Sequence, residues 1–311
     1  MGTPQFAVPS LAALVRAGFD VSTVVTRPDR PAGRGRKVTP PPVKLEAQSL
    51  GLSVFQPEKL TDQTTLMALA ERSPEVIVVC AFGQILRPPV LGIPSRGVLN
   101  IHPSLLPRYR GATPIQSAIL AGDELTGVTI ILMDAGLDSG PILSQTSLPI
   151  TDDDSAGSLE EKLSQAAAAL LVETLPRWLA GAVTPEPQDE AQATMSRRLT
   201  KEDAEMDWSL AAPELQRRVR AFNPWPGAYT YVEGQTLRVL ESRVVPNDSG
   251  QPAGTVVAPP HGGASRGFAV QTGDGLLAVL AAQRAGHKVL PAEDLLRGMP
   301  QLMGKRLPER G

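Results

Sequence analysis

Two polar side chains in one short segment are the strongest candidates for catalysis in this chain. The segment Gly97 to His102 has the pattern of a buried strand that Pro103 ends, since proline cannot donate to a sheet ladder. Side chains alternate between the faces of a strand, so Asn100 and His102 point to the same face. An amide can donate to a developing oxyanion, and an imidazole can relay protons near neutral pH. The pair predicts a reaction that passes through an oxyanion, although a lone histidine is more often structural.

A carboxylate would complete such a site, and Asp138 is the best candidate. It lies in the glycine-punctuated segment Met133 to Pro141, which follows a strand pattern. In a parallel sheet this segment would emerge on the same side as the Asn100 strand, at the edge where open α/β sheets bind ligands. Asp138 would then orient His102 and move protons through water. The alternative is that Asp138 only bonds the backbone of its own turn.

Helix and strand patterns alternate through the first part of the chain and must position these residues. The apolar run Val76 to Ala81 predicts a buried strand and is too short to span a membrane. Ser158-x-x-Glu161 predicts a capping box that opens a long helix toward Ala180. The alternation indicates an open, mainly parallel sheet covered by helices.

The pattern changes after Gly181 and divides the chain into two domains. We predict a catalytic domain at residues 1–182, a polar, proline-containing linker at 183–200 and a second domain at 201–311. Five short strand patterns with glycine-rich turns suggest that the second domain is a small OB-like β-barrel. These patterns cover Ala228 to Val232, Leu237 to Val244, Thr255 to Ala258, Phe268 to Gln271 and Leu276 to Ala282.

One stretch concentrates positive charge in a chain whose formal net charge is −2. The segment Arg27 to Lys44 carries six basic residues against the single acidic residue Asp29, among many prolines and glycines. Its charge suits a phosphate backbone, and a long loop of this kind is seldom a mere connection. The alternative is a solvated surface loop.

Several function classes lose support from the sequence. It contains no nucleotide-binding glycine motif, no nucleophile elbow and no cluster of cysteine and histidine at metal-ligand spacing. The one cysteine, Cys80, lies in an apolar run and is expected to be a core residue, so a reducing cytoplasm fits. Met1 is followed by Gly-Thr-Pro, which is unlike a signal peptide.

The run Asn100-x-His102-Pro-Ser-Leu-Leu-Pro107, with the later Asp138, resembles the signature of the folate-dependent formyltransferases. That resemblance implies a Rossmann-like catalytic domain that takes a formyl group from 10-formyltetrahydrofolate. The Pro-Asp-Arg-Pro-Ala-Gly-Arg-Gly stretch, the Phe-Asn-Pro-Trp-Pro-Gly segment and the small barrel are similar to members that formylate methionyl initiator tRNA for translation initiation. The resemblance to this family further implies that the protein is a cytoplasmic monomer with no membrane contact.

Two alternatives to this interpretation stay open at this point. The catalytic signature is shared with enzymes that formylate a small amine, either glycinamide ribonucleotide or a sugar nucleotide. The second alternative is a catalytically inactive, RNA-binding relative of these enzymes. The basic stretch and the barrel favour the tRNA substrate over both.

The resemblance assigns roles to residues that match the motifs of the family. Asn100 and His102 would stabilise the tetrahedral oxyanion, while Asp138 would hold the imidazole and pass a proton toward the leaving folate nitrogen. The residues that match the folate-binding segment and the pterin pocket are Ser104, Leu105, Leu106, Pro107, Gln84 and Leu86. The backbone of Asp134 to Leu137 matches a second wall of the pterin pocket. The basic residues that match or adjoin tRNA-contacting positions are Arg34, Arg36, Lys37 and Lys201. No metal ion is implied.

The chain departs from the family at its first residues. Members begin with an apolar strand before the Gly-Thr-Pro turn, whereas Met1 stands at the turn itself. Burial of four apolar side chains would contribute roughly 6 to 12 kcal/mol, against a net stability of about 5 to 15 kcal/mol for a domain. We therefore expect the first strand to be missing here and the true start to lie upstream.

Overall fold

The computed structural model describes residues 1–32, 35, 37–245, 249–259 and 267–309. The chain forms two compact units. Unit 1 comprises Met1–Pro114, Leu125–Pro149 and Glu160–Arg197, and unit 2 comprises Ile115–Glu124, Ile150–Leu159 and Arg198–Gly311. Most of the segment predicted as a linker therefore lies in unit 1.

Strands and helices alternate along unit 1, and strands dominate unit 2. The strands are β1 (Val24–Val25), β2 (Arg30–Ala32), β3 (Lys37–Thr39), β4 (Val54–Phe55), β5 (Ile77–Cys80), β6 (Val98–His102), β7 (Arg110–Gly111), β8 (Leu125–Leu132), β9 (Ile142–Pro149), β10 (Met195–Ser196), β11 (Tyr229–Val232), β12 (Gln235–Val245), β13 (Val256–Val257), β14 (Phe268–Gln271), β15 (Leu276–Arg284) and β16 (Val289–Pro291). The α-helices are α1 (Val8–Arg16), α2 (Pro42–Ser49), α3 (Gln63–Ala70), α4 (Pro88–Leu91), α5 (Pro114–Ala121), α6 (Ala156–Leu179), α7 (Ala212–Ala221) and α8 (Ala292–Gly298). Short 3₁₀ helices cover Gln5–Ala7, Glu190–Gln192, Glu202–Ala204 and Pro300–Leu302.

The central sheet of unit 1 has the strand order β5-β6-β8-β9. Strand β6 pairs in parallel with β5 on one side and antiparallel with β8 on the other, so it is an interior strand. Its predicted end at Pro103 is confirmed, because β6 stops at His102. A second parallel pair joins β1 to β4. Parallel strands with intervening helices confirm the predicted Rossmann-like α/β class.

The first two residues connect the parallel pair of β5 and β6 to the parallel pair of β1 and β4. Gly2 forms a parallel bridge with Cys80 in β5, and its amide donates to the carbonyl of Val25 in β1 at 3.0 Å. The Cys80 amide donates to the Met1 carbonyl at 2.9 Å, and the amino group of Met1 donates to the Val78 carbonyl at 2.6 Å. A cavity of about 440 Å³ adjoins this connection, and its apolar lining includes Leu11, Leu14, Val25, Ile77 and Leu175. Met1 and Gly2 are therefore both bonded to β5, and Gly2 is also bonded to β1.

Helix α6 has a capping box, but not at the predicted residues. The helix begins at Ala156, where the Ser155 hydroxyl accepts from the Ser158 amide at 3.2 Å and the Ser158 hydroxyl accepts from the Ser155 amide at 3.0 Å. The box predicted at Ser158 and Glu161 is therefore wrong by three residues. The reciprocal bonds satisfy two backbone donors that a helix start leaves without partners.

Unit 2 contains an antiparallel sheet with the order β11-β12-β15-β14-β13, and β16 also pairs with β15. The five strand patterns predicted for this region correspond to β11 to β15, whereas β16 and α8 were not predicted. Helix α7 contacts β12 and β15 and buries Leu215 and Val219. The arrangement confirms the predicted OB-like class of the second domain.

Candidate active site

Strand β6 presents a polar face and an apolar face, as its alternation predicts. On the apolar face, Leu99 and Ile101 are each at most 2% exposed. Asn100 is half-buried and His102 is 4% exposed. Because hydrogen bonds to β5 and β8 fix the backbone on both sides, these two side chains have a rigid support.

Asp138 lies against both polar side chains of β6. Its Oδ1 accepts a hydrogen bond from Asn100 Nδ2 at 3.1 Å, and its Oδ2 lies 3.6 Å from His102 Nδ1. The same Oδ2 accepts from the Gly111 amide at 2.9 Å. Only 13% of the Asp138 side chain is exposed, so these contacts are poorly screened by solvent. The structure thus brings together the three residues that sequence reasoning selected for catalysis.

The loop that carries Asp138 reaches the site by a different route from the one expected. Strand β8 is antiparallel to β6, and its last residue, Leu132, pairs with Leu99 near the beginning of β6. The residues after β8 must therefore return along the face of the sheet to place Asp138 beside Asn100 and His102. The expectation that this loop leaves a parallel strand at the carboxyl edge is wrong, although the predicted contact is present.

Backbone geometry fixes which nitrogen of His102 carries its proton. His102 Nε2 lies 2.9 Å from the Tyr109 carbonyl oxygen, which can only accept, so Nε2 donates. In the neutral imidazole the lone pair is then on Nδ1, the nitrogen that faces Asp138. Burial lowers the pKa of His102, while Asp138 and the bond to Tyr109 oppose that shift. The ring is consequently neutral at pH 7.

The predicted folate-binding segment is a tightly bonded turn directly after β6. The Ser104 hydroxyl donates to the Arg108 carbonyl at 2.6 Å, and Ser104 is fully buried. The Leu106 amide donates to Thr129 Oγ1 at 3.1 Å, and Leu106 is also buried. Leu105 and Pro107 are half-buried. The buried residues Ser104 and Leu106 therefore stabilise the conformation of this segment through internal hydrogen bonds and packing.

The predicted pterin-pocket residues are divided between the core and the surface. Leu86 is 6% exposed and packs in the apolar core, and Gln84 Oε1 accepts from the Leu60 amide at 3.3 Å. Between them Ile85 is 85% exposed, and Leu137 beside Asp138 is 57% exposed. Exposed apolar side chains are thus present on both segments that the resemblance assigns to the pocket.

Sequence reasoning missed three groups that contact the predicted catalytic residues. The Tyr109 carbonyl and the Gly111 amide lie within the stretch that follows β6, but backbone groups leave no signal in side-chain identity. Gln188 donates from Nε2 to the carbonyls of Asp138 and Gly140, both at 2.8 Å. A glutamine in a polar, proline-containing stretch has no pattern that could have identified it.

Part of the basic stretch forms a two-stranded ribbon. Strands β2 and β3 pair antiparallel, with Ala32 opposite Lys37, and Lys37 is exposed. Arg34 and Arg36 lie outside the described residues. Lys201 is exposed in unit 2, directly before the 3₁₀ helix Glu202–Ala204.

Two of the basic side chains in the stretch are paired with carboxylates. Lys44 Nζ lies 2.7 Å from the Asp29 carboxylate, and Arg30 lies 2.8 Å from Glu58. In the Lys44 pair, the side chains are only 19% and 30% exposed. These pairs reduce the positive charge that the stretch offers to an external ligand.

Neither a metal-binding cluster nor a membrane-spanning helix is found in the part of the chain that the structure describes. Over the described ranges, no group of three or more histidine, cysteine and acidic residues could hold a metal ion. None of the helices described is long and apolar enough to cross a membrane.

Comparisons with known proteins match two family models and several named relatives. A family model described as formyl transferase matches residues 1–175, and one described as formyl transferase, C-terminal domain, matches residues 198–300. Proteins named methionyl-tRNA formyltransferase are similar over nearly the whole chain. The one from Chloroflexus aurantiacus is 48% identical over 96% of both chains, and the one from Marinobacter nauticus is 44% identical over 97% of this chain and 96% of its own.

Solved structures show the same fold at low identity. A sugar 3N-formyl transferase crystallised in the presence of dTDP and 5-N-formyl-THF has a TM-score of 0.67 at 19% identity, covering 92% of this chain and 97% of its own. HypX from Aquifex aeolicus in complex with tetrahydrofolic acid has a TM-score of 0.59 at 20% identity, covering 81% and 43%. The family models and the full-length relatives together show that this chain belongs to the formyl transferase family.

Proposed function

We propose that this protein transfers the formyl group of 10-formyltetrahydrofolate to the α-amino group of methionyl initiator tRNA, for translation initiation. The observation that carries the proposal is the cluster of Asn100, His102 and Asp138, joined by distances of 3.1 and 3.6 Å. It occurs in a chain that is 44% to 48% identical to relatives named for this activity. Formyl transfer to an amine passes through a tetrahedral oxyanion, which is the chemistry that an amide donor beside an imidazole serves.

Asn100 is the oxyanion donor in this mechanism. An amide nitrogen carries two N–H donors, and the bond to Asp138 uses one of them. The second is available to the oxygen of the formyl carbonyl as it becomes negative. Because β6 holds Asn100 rigidly, the donor needs little reorganisation during the reaction.

In place of the oxyanion contact expected from the sequence, we assign His102, together with Asp138, the role of proton acceptor, because the one N–H of the neutral ring donates to the Tyr109 carbonyl. When the amine attacks the formyl carbon, a carbon–nitrogen bond forms and the amine must lose a proton. The Nδ1 lone pair of His102 and the Asp138 carboxylate face each other across 3.6 Å, so the pair can take up one proton. Breaking of the bond to the folate nitrogen then requires a proton on that nitrogen, and Asp138 returns it through water.

The formyl donor requires a flat, partly apolar surface beside this cluster. We assign it to the turn Ser104 to Pro107, with Gln84, Leu86 and the backbone of Asp134 to Leu137 as walls. The exposed side chains of Ile85 and Leu137 support this assignment, since burial of exposed apolar surface favours binding of a pterin ring.

The identity of the formyl acceptor is inferred from the names of the relatives and from the basic stretch Arg27 to Lys44. Arg34, Arg36 and Lys37 would neutralise phosphates of the tRNA, and Lys201 would add a contact from unit 2. A sugar nucleotide acceptor is the second candidate, because structures of sugar N-formyltransferases share the fold. The concentration of basic residues favours the tRNA.

We further propose that the protein acts as a cytoplasmic monomer. Burial raises the pKa of the Cys80 thiol to about 12 and leaves Cys80 only 3% exposed, so this cysteine is suited to neither a disulfide nor reactive chemistry. Sedimentation equilibrium at micromolar concentration tests the monomer, and a dimer mass would refute it.

A single assay separates the candidate functions. The protein is incubated with 10-formyltetrahydrofolate and, in parallel, with methionyl initiator tRNA, methionyl elongator tRNA or a nucleotide-linked amino sugar. We expect formylation of the initiator tRNA only. Formylation of the sugar would establish the second candidate, and tRNA binding without any transfer would identify a catalytically inactive relative.

A further inference from the structure

The segment from Met133 to Pro141, the Asp138 loop, is stabilised by its own hydrogen bonds over only part of its length. Asp134 Oδ1 accepts from the Gly136 amide and from the Ser139 hydroxyl, both at 2.9 Å. These bonds close the turn but leave the Asp138 backbone to be fixed by other parts of unit 1. Asp138 has a φ of 51°, a left-handed conformation that non-glycine residues adopt in few places.

Gln188 supplies the contact that the Asp138 backbone requires. Its Nε2 donates to the carbonyl of Asp138 and to the carbonyl of Gly140, each at 2.8 Å, so one amide group spans the turn. The two bonds hold the backbone on either side of Ser139. They therefore restrict the rotation that would carry the Asp138 carboxylate away from Asn100 and His102.

The amide of Gln188 is itself held in one orientation. Its Oε1 accepts from Arg110 Nε at 3.1 Å and from Arg110 Nη2 at 2.9 Å. The same guanidinium donates to both oxygens of Glu190, at 3.0 and 2.7 Å. With Oε1 facing the guanidinium, Nε2 must face the Asp138 loop.

Arg110 connects this arrangement to the other side of the site. Arg110 is 6% exposed and lies between Tyr109, whose carbonyl accepts from His102, and Gly111, whose amide donates to Asp138. The segment that contains Gln188 and Glu190 is thus bonded to Arg110, the residue between the two backbone groups that contact His102 and Asp138.

We propose that Gln188 is a positioning residue for formyl transfer, which holds the Asp138 backbone so that its carboxylate faces Asn100 and His102. The inference rests on the proposed function, since a kinetic test of it requires formyl transfer. A test of the position of Asp138 in the structure does not require that activity. Gln188 touches neither substrate in this proposal and acts only through Asp138.

The kinetic test compares two glutamines of the same segment. Gln188→Ala removes both bonds to the Asp138 loop, and we expect kcat to fall on the order of 10- to 100-fold with the KM of each substrate nearly unchanged. Gln192→Ala is the matched control, because Gln192 is exposed and its Nε2 donates only to Asp189, at 2.8 Å. Gln188→Glu, which keeps the size but lacks the donors, should be impaired like Gln188→Ala.

The structural test follows the pKa of His102 by NMR titration in the whole protein. The Asp138 carboxylate raises that pKa, so its displacement in Gln188→Ala should lower the pKa further, while Gln192→Ala should match the wild type. An unchanged His102 pKa would overturn the proposal, whether kcat falls through general destabilisation or stays at the wild-type value. If the wild type formylates no acceptor, the proposed function fails, and the titration still decides the role of Gln188.

Discussion

At the scale of single residues, the shared face of Asn100 and His102, the proposed catalytic side chains of β6, follows from the sequence because strand alternation is a local rule. Asn100 and His102 share a face for the same reason that Ile101 is buried on the other. The proton position on His102 does not follow from the sequence, because it depends on the carbonyl of Tyr109. Backbone groups are present at every position, so residue types cannot indicate which one meets the ring.

Asn100→Ala tests the oxyanion donor. We expect turnover to fall on the order of 100- to 1,000-fold, the usual cost of losing one such donor. The affinity for tRNA should change little, because the side chain is half-buried beside Asp138. Single-turnover rates and tRNA affinity are measured on the same preparation, and turnover at the wild-type level would refute the role of Asn100.

The protonation of His102 predicts the response of the enzyme to acid. Burial lowers the pKa of this imidazole, so it should titrate below the ordinary value of about 6.5, and kcat should fall only below that pH. The unfolded chain takes up this proton first as the pH falls through 6.5, so the free energy of unfolding should decrease there as well. NMR titration of the wild type and of His102→Gln identifies the signal, and a His102 pKa above 6.5 would contradict the prediction.

At the scale of elements, the structure differs from the expectation where pairing direction matters. The strand patterns of β6 and β8 are visible in the sequence, but apolar alternation is the same for parallel and antiparallel neighbours. Because β8 is antiparallel to β6, the Asp138 loop has to return along the sheet, and it needs the external contact with Gln188. Gln188 lies some fifty residues further along the chain, a separation that no local pattern spans.

Gly111→Ala tests the hydrogen bond from the backbone of β7 to the Asp138 carboxylate. Gly111 has a φ of 108°, and a Cβ there would lie 2.6 Å from the Ser196 carbonyl oxygen, so the backbone must shift. We expect the Gly111 amide to move away from Asp138 and kcat to fall by at least about 10-fold, as displacements of catalytic groups commonly cause.

Gly18→Ala is the control for Gly111→Ala. Gly18 also has a positive φ, of 80°, but a Cβ there would meet nothing within 4 Å. Both variants carry the left-handed backbone cost of roughly 1 to 2 kcal/mol, which chemical denaturation measures. Equal kcat values for the two variants would show that the Gly111 amide does not support the site.

At the scale of the whole molecule, composition and patterning predicted both fold classes but not every element. The five strands β11 to β15 have alternating patterns, whereas β16 is a three-residue strand that consists of exposed residues. The segment predicted as a linker is polar and contains prolines. Two of its polar side chains nevertheless form specific hydrogen bonds, Gln188 with the Asp138 carbonyl and Glu190 with Arg110. Polar composition alone cannot distinguish a free connection from one that is fixed by specific hydrogen bonds.

The basic stretch concentrates positive charge in a chain of net charge −2. Lys44 is paired with Asp29, and Arg30 is paired with Glu58. We therefore expect other basic residues of the stretch, including Arg34, to contact the phosphates of the tRNA. Each neutralised phosphate releases counterions, so tRNA affinity should fall linearly with salt on logarithmic axes.

Arg34→Ala should weaken tRNA binding and reduce that salt slope by about one, with kcat at saturating tRNA unchanged. Arg16→Ala is the matched control, because Arg16 is exposed on α1 outside the basic stretch. Fluorescence titrations at several salt concentrations measure the slopes. A slope that stays the same in Arg34→Ala, or falls equally in Arg16→Ala, would mean that the charge of this stretch is not what attracts the nucleic acid.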